Sequence, residues 1–268
     1  MELKSCLWCQ DIEKSPIPEE CLSEDVIVGI DEAGRGPVMD SKQLTAEKRE
    51  HLLGDIQAAD SIGYVIRTLS PKEISANMLQ TKPFNLNEMS HKAAMDMIRE
   101  LLRMKVKVTE VYIDTVGDPE KYESKLQAAF SFTTIKFKVS KKADALFKCV
   151  SAASIVAKTR RDHIIENHSW EEAYMEGKSF GATGSGYPSD PTTKAFLANC
   201  MHPVFGFPTF IRFSWSTIPK LIQEKNGAVV VWKESLEDED SPHRRPKKKY
   251  RKEESRLCKE HSIESCSF

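Results

Sequence analysis

An α/β layer fold is what this sequence predicts, on three observations. Short apolar runs stand at residues 26–30, 61–68, 110–114 and 133–139, each of strand length. Helical patterns alternate with them. Several of those helices open on a serine or aspartate followed by proline, a start signal that fixes where each begins. Strands alternating with helices build a sheet covered by helices, and a chain of 268 residues holds one such domain plus tails.

Taken in order, residues 1–25 read as a poorly ordered leader. Val26-Ile27-Val28-Gly29-Ile30 reads as a buried strand, broken by Gly34 and Gly36 directly after Asp31 and Glu32. Ser70-Pro71-Lys72-Glu73 is a capping box with proline at the first helical position, predicting a short helix to about Leu79. Met89, Ala93, Met97, Leu101 and Met104 trace one apolar stripe, flanked by Ala94, Ile98 and Leu102; this is a core-facing helix, not a cofactor site. Asp118-Pro119 opens another helix. Cys149 to about Asn167 is rich in small residues and can pack closely, and Asp190-Pro191 opens a further helix. The domain is expected over residues 26–215, and residues 216–268 as a helix followed by a charged tail.

Composition narrows the class. Hydrophobic content of 40% and charged content of 29% fit a globular protein. No stretch of about 18 residues is uninterrupted apolar, so no membrane span is expected. The first residues lack the apolar core of a signal peptide. Seven scattered cysteines argue against a disulfide scaffold and for a reducing compartment; Cys6 and Cys9 have no second pair at zinc-site spacing. The net charge of −1 hides an acidic run at 234–240 beside a basic run at 243–252. That basic run suits nuclear import or phosphate binding, or is simply a solvated tail.

Chemistry concentrates in acids at strand ends. Asp31 and Glu32 close the first apolar run, Asp114 closes Val111-Tyr112-Ile113, and Asp144 follows the strand at 133–139. In an open α/β sheet, ligands gather outside the carboxyl ends of the strands. A solvated turn with Arg35 as an ion-pair partner is the plain alternative for the first pair. Convergence of all four acids would raise their pKa values by mutual repulsion, which two divalent cations would offset. Oxygen-only donors favour magnesium or manganese over zinc. Neighbouring strand residues face opposite ways, so Asp31 and Glu32 share a site only if the chain turns at Gly34 and Gly36.

Asp31-Glu32-Ala33-Gly34-Arg35-Gly36-Pro37 resembles the opening motif of type 2 ribonuclease H. Asp40-Ser41-Lys42-Gln43-Leu44, Tyr112-Ile113-Asp114-Thr115-Val116-Gly117, Lys142-Ala143-Asp144-Ala145-Leu146 and Ser151-Ala152-Ala153-Ser154-Ile155-Val156-Ala157-Lys158 resemble its later motifs in order. So do Gly184-Ser185-Gly186-Tyr187-Pro188 and His202-Pro203-Val204-Phe205-Gly206-Phe207. The resemblance, strongest to the catalytic subunit of the eukaryotic three-subunit enzyme, implies a ribonuclease H-like mixed sheet flanked by helices, with a helical C-terminal extension. It implies an endoribonuclease acting on the RNA strand of RNA–DNA hybrids and on the 5′ side of single ribonucleotides in duplex DNA. By carry-over, Asp31, Glu32, Asp114 and Asp144 hold two Mg2+ (or Mn2+) ions, about 3.5–4 Å apart in such sites. Gly34, Arg35 and Gly36 contact the 2′-hydroxyl, Tyr187 lies beneath the sugar, Lys158 meets a phosphate, and Asn85 holds the other strand. Accessory subunits of a heterotrimer and a nuclear location follow from the same likeness.

One departure stands out. After Gly36-Pro37-Val38, members of that family continue through a second strand before Asp-Ser-Lys, whereas here Val38-Met39 runs straight into Asp40-Ser41-Lys42. About two dozen residues are missing, the length of one strand and a long connection. The parent activity is therefore set against a variant with weak or no catalysis that keeps its partner- or nucleic-acid-binding surfaces.

Overall fold

The computed structural model describes residues 12–34, 45–80, 82–115, 117–172, 175, 177–178, 180–184, 186, 190–225 and 227. Along these the chain forms β1 (Ile12–Lys14), α1 (Glu20–Ser23), β2 (Val26–Ile30), α2 (Ala46–Ala58), β3 (Val65–Arg67), α3 (Pro71–Met78) and α4 (Leu86–Arg103). It continues through β4 (Val108–Asp114), α5 (Pro119–Ala129), β5 (Lys136–Ser140), α6 (Ala143–Leu146), α7 (Lys148–Glu166), α8 (Pro191–Cys200) and α9 (Thr217–Glu224).

The central sheet has the order β2-β4-β5 and is parallel throughout. Ile30 is the register partner of Ile113, and Asp114 that of Ser140, so the three strands finish level with one another. β4 occupies the middle, and Val108, Val111 and Ile113 are buried there. They join Ala94 and Ile98 of α4, Tyr122 and Leu126 of α5, and Phe137 and Val139 of β5 in one core cluster. The methionine stripe of α4 faces this core as its spacing requires.

Helix starts follow local chemistry. Ser70 Oγ accepts the Glu73 N–H at 3.1 Å to open α3. Asp118 and Asp190 cap α5 and α8 in the same way, each with proline in the first turn. A second cluster, built on Phe196, Leu197, Cys200, Ile211, Trp215 and Ile218, forms the helical C-terminal extension. Phe213 N–H donates to Ser75 Oγ at 2.8 Å and ties the extension to α3.

Four expectations are corrected. The leader is ordered over its described part: β1 pairs antiparallel with β3, and Ile17 and Cys21 pack on the core. The strand expected at 61–68 shrinks to Val65–Arg67 and joins β1 in a separate two-stranded sheet, so the antiparallel pairing lies outside the parallel sheet. Thirdly, β2 is an edge strand among the described residues rather than a buried one; Ile27 is 55% exposed. Lastly, α2 was not foreseen. Its start, Thr45-Ala46-Glu47-Lys48, lacks the acidic third residue of a capping box, although Thr45 does cap it by accepting the Lys48 N–H. α2 is held on α7 by Arg49, which donates to Asp162 at 2.6 Å.

Candidate active site

Gly29 decides how the site is assembled. A Cβ built there would lie 2.2–2.5 Å from the backbone of Cys149 and Val150, so only glycine lets the first turn of α7 touch β2. That contact brings the face of α7 carrying Ser154 and Lys158 against the end of β2. Asp31 follows Ile30 directly, and Asp114 follows Ile113, so the two aspartates extend adjacent, level strands. Neighbouring strands run about 4.8 Å apart.

Asp31 is tied down from two sides. The Glu32 N–H donates to its Oδ1 at 2.7 Å, and the Ser154 hydroxyl donates to its carboxylate. Burial pushes its carboxyl above the usual range; repulsion from Asp114 adds to this, while Ser154, Glu32 and Lys158 oppose it. Asp114 Oδ1 accepts the Ala143 N–H at 2.8 Å. Burial again raises its carboxyl, and Asp144 and Glu32 raise it further. Asp144 stands in the first turn of α6, which starts after Lys142 takes up a left-handed conformation at φ 57°. Ala145 N–H caps the Asp144 side chain at 3.0 Å.

The structure therefore places all four predicted acids at one end of the parallel sheet, within electrostatic reach of one another. It does not gather any three of them tightly enough to hold a metal ion, among the described residues. Asp31, Glu32, Gly34 and Asp114 line a cavity of about 750 Å³; Asp144 and Lys158 border the acids without lining it. Gly34 sits at φ 84°, in the left-handed region, which makes the turn after Glu32 that the shared site demands. Asn85 is the cap of α4, its Oδ1 accepting the Glu88 N–H at 3.0 Å, so only its amide NH2 is left to meet a ligand. Arg35, Gly36 and Tyr187 lie outside the described residues, as does the basic run at 243–252.

Two side chains that matter here were not singled out from sequence. Ser154 is one. The other is Thr193, fully buried, whose hydroxyl accepts the Gly186 N–H at 2.8 Å and donates to the Thr183 carbonyl at 2.9 Å, fixing the backbone next to Tyr187. The signal for Ser154 was its place four residues before Lys158, on one helix face.

Parallel strands of equal end-point, carrying acids level with one another and backed by a small-residue helix, define an α/β nuclease-type site. Residues 37–218 match the family model Ribonuclease HII. The chain is 42% identical over 251 residues to the A subunit of ribonuclease H2 from Rattus norvegicus, covering 84% of this chain and 82% of that one. It is 43% identical over 255 residues to the Arabidopsis thaliana protein of the same name, covering 86% and 83%. The crystal structure of the ribonuclease H2 from Pyrococcus horikoshii superposes with a TM-score of 0.57 at 30% identity, over 75% of this chain and 98% of that one. The chain belongs to the ribonuclease HII family: it is a type 2 ribonuclease H of the catalytic-subunit kind, a hydrolytic ribonuclease. Among the described residues no helix is long and apolar enough to cross a membrane.

Proposed function

We propose that the chain is an endonuclease cutting the RNA strand of RNA–DNA hybrids and the 5′ side of single ribonucleotides in duplex DNA. The observation that carries this reading is the level placement of Asp31 and Asp114 on adjacent parallel strands, with Ala143 tethering the Asp144 turn to Asp114. The donor set fits hard divalent cations: oxygen only, acidic, and raised in pKa by burial without enough positive charge nearby. Asp31, Glu32, Asp114 and Asp144 would hold Mg2+ (or Mn2+). When bound, such ions neutralise the acids, lower the pKa of water and stabilise charge on a departing oxygen.

The chain's own residues do the rest. The four acids leave no nucleophilic side chain at the site, so the attacking group is water and the bond broken joins phosphorus to the 3′ oxygen. Lys158 meets a phosphate at the edge of the acids. Gly34, Arg35 and Gly36 approach the 2′-hydroxyl with bare backbone, Tyr187 stacks beneath the sugar, and the Asn85 amide contacts the opposite strand. Accessory subunits complete a heteromer, in keeping with relatives that are themselves named as one subunit of an enzyme. The run at 243–252 directs nuclear entry.

A second reading is favoured by the β2 edge. The cavity of about 750 Å³ separates β2 from residues 61–72, with α4 and α7 as its walls, and it is the width of an absent strand. Consistent with this, the family match begins at residue 37, beside the point where the sequence departs from the family. The rat alignment also spans 251 positions, more than 84% of 268 residues, so it carries a net gap in this chain. In this reading the chain binds nucleic acid or partner subunits but cuts weakly. Incubating soluble protein and magnesium with a duplex bearing one ribonucleotide separates the two: a nick supports the enzyme, intact duplex supports the second reading.

A further inference from the structure

Ser154 has no part in the reaction described above, yet it is only 5% exposed and its hydroxyl reaches Asp31. A serine inside a helix ordinarily turns its hydroxyl back to the carbonyl one turn earlier. This one bonds across to the end of a neighbouring strand, which α7 can approach because Gly29 has no side chain.

We propose that Ser154 is a positioning residue for Asp31, its hydroxyl and the Glu32 N–H together fixing which way the two carboxylate oxygens face. The inference rests on the reading of Asp31 as a metal ligand and deepens it. Without such donors a carboxylate on a turning backbone samples several rotamers. With two of them, one set of lone pairs is committed and the other is held toward Asp114. Lys158, one turn further along the same face of α7, supplies charge to the same carboxylate but no such direction. Partners of this kind typically govern metal affinity by about 10-fold to 100-fold.

The test is magnesium binding to the full chain, measured by calorimetry and by the melting temperature as magnesium is added, beside the magnesium dependence of cleavage. Ser154→Ala is expected to melt as the wild type does without metal, to bind magnesium at least about 10-fold more weakly, and to regain most of its kcat at saturating magnesium. Should Ser154→Ala fail to fold, Ser154→Cys keeps the volume with a poor donor, and the same weakening is expected. Wild-type magnesium affinity in whichever variant folds overturns the inference while leaving the metal site standing. A wild-type chain that takes up no magnesium overturns the metal-ligand reading itself, and the inference with it.

Discussion

The backbone N–H of Ala143 donates to the Asp114 carboxylate across 2.8 Å, joining the end of β4 to the turn that carries Asp144. Thr115 N–H donates to the Ser140 carbonyl at 3.1 Å and locks the same two strand ends together. Acids 30 positions apart in sequence are thus neighbours through the backbone alone, before any cation is considered.

Asp31 and Asp114 set function against stability. Burial raises both carboxyls, so the folded chain binds protons more readily than the unfolded one, and stability falls as pH rises through that window. At neutral pH both are ionised and penalise the metal-free fold. Asp31→Asn is expected to abolish cleavage and to raise the metal-free melting temperature by about 2–4 °C. A drop in melting temperature contradicts the assignment.

Glu100 works in the opposite sense. Arg103 first, and then Lys14 of β1, hold its carboxyl down to about 2. Its contribution is present above the ordinary glutamate value of about 4.3 and is lost as pH falls through about 2. Glu100→Gln should therefore cost about 1 kcal/mol at neutral pH in urea unfolding, and the gap from wild type should shrink steadily on acidification.

Gly29→Ala tests the seating of α7. The new methyl meets main-chain atoms at 2.2–2.5 Å, which cannot swing aside as a side chain can. A loss of about 3 kcal/mol in denaturant unfolding is expected, with cleavage lost in parallel. An unchanged midpoint would show that α7 does not depend on this contact.

Thr193→Val keeps the shape and removes the hydroxyl that accepts from Gly186 and donates to Thr183. Two backbone groups lose their partner, at about 1–3 kcal/mol. The steady-state signature expected is a raised KM for hybrid substrate with a smaller change in kcat, since Tyr187 follows Gly186 directly.

How much of this was legible beforehand divides by the range of the interaction. Ser70, Asp118 and Asp190 act on their own first turns, and the α4 stripe repeats within one helix, so sequence alone placed these elements. The acids were legible by the strand-end rule and by resemblance. β1 was not, because a three-residue strand is stabilised only by its pairing with β3, more than 50 positions away. α6 was hidden for another reason: its entry depends on Lys142 holding a left-handed conformation, where glycine or asparagine would have signalled the turn. The Ser61–Thr68 run looked like a strand by composition. Only its central residues have a partner, since the edge of β2 that might have received it faces a cavity instead.

The enzymatic claim is tested most directly by one comparison: this chain, and the same chain with a strand inserted after Val38, each given magnesium and a duplex containing a single ribonucleotide. The account predicts a nick 5′ of that ribonucleotide by this chain, abolished by Asp114→Asn. A soluble, folded chain that leaves the duplex whole while the strand-restored version cuts it would contradict the account for this protein.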